Sequence, residues 1–296
     1  VIMAGHGVVI ARAFKELQEL AEKAQIPVVT TLLGLGSLAP DHLLHLGMPG
    51  MHGLAYASLA LDQADLVISL GARFDDRVTG RISAFAPNAK FIHVDIDASE
   101  VDKNIKATVG MVGDLKAVLG QLLPKIESNV HIDWLRRIDQ LKAEHPSHII
   151  RESDELLPQY VVQRLTEVTQ GRGIVVTGVG MHQMWAAQYL HFDEPNRWMT
   201  SGGLGTMGYG LPAALGVQIA HRDALVVDIS ARTAPEAGRF VLACPNRRAP
   251  CPHTPSRPLA SRPDEISGLG VSSKQVVHGT HCDLPPNSRA SLRVRI

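Results

Sequence analysis

Short, unbroken apolar runs alternating with segments of helical period constrain this chain more than any other feature. Val1-Ile2-Met3-Ala4, residues 26–31, Asp65-Leu66-Val67-Ile68-Ser69-Leu70 and Phe91-Ile92-His93-Val94-Asp95-Ile96 read as strands. After the first, Gly5-His6-Gly7 reads as a turn. Ala13, Phe14, Leu17, Leu20, Ala21 and Ala24 then recur at the 3.6-residue period of a helix. Residues 54–63 read as a second helix, 109–112 as a short strand and 115–126 as a closing helix. Strands apolar on both faces and separated by helices predict an α/β unit with a parallel sheet covered on both sides. Such sheets bind ligands beyond the carboxyl ends of their strands.

Residues 1–128 form the first expected domain. Residues 129–158 are polar, carry Trp134, Pro146 and Pro158, and read as helix plus linker. A second α/β unit is expected over 159–229: helix 160–169, strand 173–177, a glycine turn at Gly178-Val179-Gly180, helix 184–189, a glycine-rich segment from Gly202 to Gly210, helix 211–220 and strand 224–229. From Ser230 onward no period is sustained. That stretch holds ten Lys/Arg against four Asp/Glu, nine of the chain's 18 prolines and all three cysteines, Cys244, Cys251 and Cys282. Its composition offers little apolar surface to offset ordering entropy. Residues 230–296 are therefore expected to be a disordered or frame-shifted tail foreign to what precedes them. A nucleic-acid arm is set aside, because the basic residues are scattered and lack interleaved aromatics. The cysteine-free remainder needs no disulfides. No apolar run reaches the roughly 20 residues of a membrane span, and no leader pattern is present, so a cytoplasmic protein is expected. Because Val1 already lies within a strand, a preceding portion is expected as well.

Several segments carry possible chemistry. Gly71-Ala72-Arg73-Phe74-Asp75-Asp76-Arg77-Val78-Thr79-Gly80 follows a strand and so falls at the ligand-binding edge. Its guanidiniums suit phosphate or carboxylate; the competing reading is a solvated loop with internal ion pairs. Thr30-Thr31-Leu32 also ends a strand. Met51-His52-Gly53 could turn backbone amides toward an anion or a ring, although His52 alone reads as structural. Asp95 stands where an acidic side chain can hold ribose hydroxyls. Asp114 either lines a ligand or caps a helix. Gly203-Leu204-Gly205-Thr206-Met207-Gly208 fits the G-x-G-x-x-G pattern, but without a clear ribose-binding acid downstream unless Asp228 supplies it. Gly5-His6-Gly7 is too short for that pattern. No zinc signature and no nucleophile elbow is present.

Taken together, Thr30–Gly36, Gly50-Met51-His52-Gly53, Gly71–Gly80, His182-Gln183-Met184-Trp185-Ala186-Ala187-Gln188 and Ser201–Gly210 resemble, in order and spacing, the large catalytic subunit of the acetolactate synthase (acetohydroxyacid synthase) family. The resemblance covers roughly residues 1–229. It implies a Rossmann-like central domain of the FAD-binding type followed by the first half of a thiamine-diphosphate-binding α/β domain. It also implies thiamine diphosphate, Mg²⁺ and a non-redox FAD as cofactors. The implied activity is decarboxylating carboligation of pyruvate with a second 2-keto acid in branched-chain amino acid synthesis. The implied partners are further copies of the chain, as dimer or tetramer, and a regulatory small subunit, with no nucleic acid and no membrane.

Carried over by this resemblance, Thr31, Leu32, Met51, His52, Gly71, Ala72, Arg73, Asp75, Arg77, Val78, Asp95, Ile96 and Asp114 line FAD, joined by Gln183, Met184, Gly202 and Gly203. Val179, Gly180, His182, Gly205 and Met207 lie near thiamine diphosphate, Met207 as a prop beneath the bent cofactor. Arg77 also reaches the substrate carboxylate. Three departures stand out. The family glutamate that activates thiamine falls outside this sequence, so no catalytic residue is assigned. Ser230-Ala231-Arg232 replaces the family's Gly-Asp-Gly-type magnesium loop, so no metal ligand is assigned. Met181 stands where the family carries Gln. The chain alone is therefore expected to be inactive. A non-catalytic FAD- or nucleotide-binding module, or another thiamine-dependent carboligase or oxidase, are the alternatives.

Overall fold

A computed structural model of the chain describes residues 1–147, 149–153, 156–192 and 194–231, together with the strand backbone at 240–243, 281–282 and 294–295. The chain divides into two compact units. The first comprises Val1–Glu152 and Ala187–Trp198; the second comprises Ser153–Ala186 and Met199–Ile296.

In the first unit β1 (Ile2–Ala4), α1 (His6–Ile10), α2 (Phe14–Ala24), β2 (Val28–Thr30), α3 (Ala55–Asp62), β3 (Leu66–Leu70), α4 (Asp76–Thr79), β4 (Lys90–Asp95), β5 (Val109–Val112), α5 (Leu115–Leu122) and α6 (Ile132–Glu144) follow one another. The five strands lie in the order β2-β1-β3-β4-β5, every pairing parallel. Ile2 stands opposite Val28 on one side and Ile68 on the other, and Ile68 opposite Ile92. Successive strand side chains point to opposite faces. Val1, Met3, Val29 and Val67 accordingly enter one apolar core, while Ile2, Ala4, Val28 and Ile68 enter the other. That is why the strands are apolar without alternation. Helix α2 turns Leu17, Leu20 and Ala21 fully inward. Each large aliphatic side chain buried this way contributes about 2 kcal/mol.

One sequence expectation changes here. Gly5-His6-Gly7 opens the short helix α1 instead of forming a turn. The segment read as helix plus linker, 129–158, holds α6, and Ile138 and Leu141 bury that helix against the core that also holds α3.

The second unit contains α7 (Pro158–Thr169), β6 (Ile174–Thr177), the start of α8 (Met181–Tyr189), most of β7 (Trp198–Thr200), α9 (Gly210–Ala220), β8 (Val226–Ala231) and β9 (Phe240–Ala243). Its sheet order is β7-β6-β8-β9. β6 and β8 are parallel, with Ile174 opposite Val226, and α9 packs Ala214 and Val217 against Ile174, Val176 and Val226. β7 was not foreseen. Nor was the continuation of β8 past Ile229: Ser230 and Ala231 extend it, and β9 pairs with it antiparallel, Asp228 opposite Ala243. β10 (His281–Cys282) and β11 (Val294–Arg295) form a separate antiparallel pair. These strands stand where a structureless tail was expected; the remainder of 232–296 lies outside the described residues. Among the described residues no helix is long and apolar enough to cross a membrane.

Candidate functional site

In the first unit the strand order reverses direction between β1 and β3, and their carboxyl ends open side by side. In sheets of this order ligands bind outside the carboxyl ends at such a switch point. β1 runs into Gly5 and β3 into Gly71, and the two loops touch through bare backbone. A Cβ on Gly5 would stand 2.2 Å from the Gly71 carbonyl oxygen, and one on Gly71, at φ +62°, would stand 2.5 Å from Gly7 Cα. Only glycine fits either place. Gly5 and Gly7 were passed over in the sequence because a short Gly-x-Gly carries little information until the strand order is known.

The residues expected to line FAD in this unit fall along that same edge. Thr31 and Leu32 follow β2, and the Thr31 amide donates to the Ala4 carbonyl at 2.9 Å. Met51, 62% exposed, donates its amide to the Arg77 carbonyl at 2.8 Å, and His52 adjoins it. Gly71, Ala72, Arg73, Asp75, Arg77 and Val78 form the loop after β3. Asp95 ends β4, Ile96 follows it in full exposure, and Asp114 follows β5.

Local chemistry explains the loop after β3. Asp75 caps the short helix α4 by accepting from the Arg77 amide at 3.0 Å, and it pairs with Arg73. Arg77 stands 3.7 Å from Asp76, and its guanidinium remains largely in solvent. Burial opposes the Asp75 charge, but the Arg77 amide, a bond with Asp76 and the Arg73 and Arg77 guanidiniums outweigh it and hold the carboxyl below its ordinary range. Asn104 fixes the loop from outside by donating to the Arg73 and Phe74 carbonyls at 3.2 and 3.1 Å. Asp95 Oδ1 accepts from the Asp97 amide at 2.9 Å. Asp114 accepts from the Ala117 amide at 2.9 Å, so it does cap a helix. A glycine cradle, two guanidiniums and an edge carboxylate are the parts a phosphate-bearing dinucleotide needs, and FAD fits this set.

The residues expected near thiamine diphosphate lie in the second unit. β6 leads into Gly178, Val179 and Gly180, and the Gly178 amide donates to the Ile229 carbonyl at 3.0 Å. His182 is buried, its Nε2 has no partner, and burial lowers its pKa against the opposing pull of the Gly178 backbone. Gln183 is buried and donates to Thr200 Oγ1 at 2.7 Å, and Thr200 also bonds Thr177 at 2.7 Å. Met184 is half-buried beside it. Gly202, Gly203, Gly205 and Met207 sit on a loop that is largely exposed, Met207 at 66%, with Gly205 at φ +63°.

Sequence reasoning missed the polar knot beneath this loop. A Cβ on Gly210 would meet Ser230 Oγ at 2.3 Å, Asp228 Oδ1 at 2.4 Å and the Gly178 amide nitrogen at 2.8 Å. Ser230 donates to Asp228 at 2.8 Å. Burial raises the Asp228 pKa, and the Ser230 bond only partly counters it. The close glycine backbones and the orphaned His182 nitrogen suit part of a thiamine cofactor. Magnesium fits less well: among the described residues no three His, Cys, Asp or Glu side chains gather to hold a metal ion, and Asp228 is already engaged by Ser230 in a buried position.

Comparison with known proteins accords with this geometry. Residues 1–122 match the family model "Thiamine pyrophosphate enzyme, central domain", and 178–231 match "Thiamine pyrophosphate enzyme, C-terminal TPP binding domain". The chain is 45% identical over 233 residues to an acetolactate synthase of Mycobacterium leprae, covering 76% of this chain and 37% of that protein. It is 46% identical over 237 residues to an acetolactate synthase large subunit of Cyanidium caldarium (78% and 40%), and 48% identical over 225 residues to acetolactate synthase 1, chloroplastic, of Zea mays (74% and 35%). The chain thus spans between about a third and two fifths of the length of these relatives.

Proposed function

Because this chain belongs to the thiamine pyrophosphate enzyme family, we propose that residues 1–231 supply the flavin-binding central domain and the opening of the thiamine-binding domain of an acetolactate synthase large subunit. The observation that carries this reading is the carboxyl-edge cradle at Gly5, Gly7 and Gly71, flanked by Arg73, Arg77 and Asp95 and embedded in a sequence close to acetolactate synthases. FAD is the proposed occupant of that edge. Arg73 would meet its diphosphate as a planar donor fork, and Asp95 would accept from ribose hydroxyls. Arg77, free to turn in solvent, would take the carboxylate of a 2-keto acid such as pyruvate or 2-ketobutyrate.

Thiamine diphosphate, when bound, supplies the carbanion sink for decarboxylation and carbon–carbon bond formation. This chain's part is to hold and orient. The Gly178 and Gly210 backbones let the Asp228–Ser230 pair pack beneath the loop, the neutral His182 ring offers a nitrogen with no hydrogen-bond partner among the described residues, and the Met207 side chain stands ready as an apolar prop. No step is assigned to magnesium. Assembly into dimers or tetramers, binding of a regulatory small subunit and a cytoplasmic location belong to the same proposal.

Titration of FAD into the purified chain, followed by flavin fluorescence quenching, tests it. Saturable binding that weakens in Arg73→Ala is expected; a protein that takes up no flavin overturns the reading. Acetolactate formation from pyruvate with thiamine diphosphate and Mg²⁺ is expected to be absent for this chain alone. Measurable product would show that its own residues complete the reaction centre. A second reading, flavin binding without catalysis, is favoured by the cradle lying wholly within the first unit; flavin uptake without thiamine uptake would select it.

A further inference from the structure

His93 is a buried side chain on β4 whose chemistry the proposed flavin site does not use. It is fully buried, yet among the described residues neither ring nitrogen has a hydrogen-bond partner of good geometry. A buried polar group left this way is destabilising, and an apolar residue would avoid that cost. Its surroundings give a reason for it. The ring packs edge-on against Phe74, centroids 5.0 Å apart at 79°. Phe74 sits in the left-handed region at φ +53°, a strained conformation for an aromatic residue. Phe91 and Phe85 pack against the same ring at 5.8 and 6.2 Å. Phe74 is the residue between Arg73 and Asp75, so its backbone sets where both side chains emerge. On its other side, His93 Nε2 stands 3.8 Å from Asp95 Oδ2, while Asp95 Oδ1 is held by the Asp97 amide.

We propose that His93 is a positioning residue for the dinucleotide edge, one buried ring that braces the strained Phe74 turn beneath Arg73 and Asp75 and fixes the direction of the Asp95 carboxylate. The proposal rests on the flavin reading above. The neutral ring suits this role. Burial holds the His93 pKa below its ordinary value against the pull of Asp95 and of the Ala72 backbone, with Glu100 and Asp102 the further acidic groups facing it. Acidification would charge the ring, draw Asp95 inward and withdraw the carboxylate from the edge. Flavin affinity should therefore fall as pH drops through the His93 titration.

Two measurements test this. In the flavin titration, His93→Phe keeps the aromatic brace and deletes the nitrogen facing Asp95. It should bind FAD about tenfold more weakly and should lose the acid-side fall in affinity. His93→Gln, which restores a polar group, should recover part of the affinity. His93→Phe with wild-type affinity and an unchanged pH profile overturns the proposal while leaving the flavin reading intact; absence of flavin binding by the wild-type chain overturns both. The second measurement needs no flavin. The histidine ring titration followed by NMR should move to lower pH in Asp95→Asn, and an unmoved titration overturns the coupling. Should His93→Phe fail to fold, Asp95→Asn carries the same decision.

Discussion

The two units build their polar edges in opposite ways. In the first, the carboxylates at the carboxyl edge are anchored by amides two or three residues away: Asp75 by Arg77, Asp95 by Asp97 and Asp114 by Ala117. In the second, the polar atoms beneath the glycine loop come from distant places in the chain. His182 and Asp228 are buried; Asp228 accepts from the Ser230 hydroxyl two residues on, and that pair crowds the Gly210 and Gly178 backbones, which come from other parts of the chain. A locally anchored edge is set by the chain that carries it and can face water. A convergent, buried knot depends on the packing around it, so its side chains carry desolvation that shifts their pKa values. The first arrangement suits holding a polar ligand, the second suits tuning the groups around a reacting one.

The sharpest way to break this comparison is at the glycines. Gly5→Ala drives a methyl into the Gly71 carbonyl, backbone against backbone, and should cost on the order of 3 kcal/mol or more in chemical denaturation. Gly203→Ala, with nothing within 4 Å, should change stability by about 0.5 kcal/mol or less. Equal losses would mean that the cradle is not the rigid centre of the first unit.

His45 gives the next largest effect. It bonds Thr30 Oγ1 at 3.1 Å, and burial lowers its pKa to about 4. The folded value lies below the unfolded one, near 6.5. Its contribution is therefore complete above pH 6.5 and is lost as pH falls toward 4, for a total of about 3 kcal/mol. Denaturation midpoints compared at neutral and mildly acid pH should show the loss, and His45→Gln should flatten it. Asp228 carries the opposite sign in the second unit. Its folded pKa is raised, so stability is greatest below the ordinary carboxylate pKa and declines as pH rises through the folded value. Asp228→Asn should then stabilise the second unit at neutral pH, with the gain vanishing in acid. A gain that persists in acid would place the effect in packing instead of charge.

The same contrast explains what could be read from the sequence. The parallel sheet of the first unit was legible because unbroken apolar runs such as 65–70 admit few other folds, and the decapeptide Gly71–Gly80 followed directly from the end of one. Gly5 and Gly7 were not, because their importance lies in contact with Gly71, some 65 residues away, which only strand order reveals. His93 was hidden inside an apolar strand. The knot of Gly178, Gly210, Asp228 and Ser230 was invisible for the same reason, and β8 was ended two residues early because Ser230 lacked the apolar character of the run before it.

The smallest effect separates two roles for Asp114, the resemblance-derived flavin contact and the helix cap. Its carboxylate accepts from Ala117 at the start of α5, the helix that buries Leu115 and Leu119 in the first unit's core. Asp114→Ala should cost about 1 kcal/mol of stability through the lost cap. Asp114→Ser restores an N-cap oxygen without the negative charge, so it should recover most of that stability. If the carboxylate only caps, flavin affinity recovers with it. If it also meets the dinucleotide, affinity stays reduced in the stable serine variant. The split between the two readouts assigns this side chain to the ligand or to the fold, and with it decides how far local anchoring alone builds the edge of the first unit.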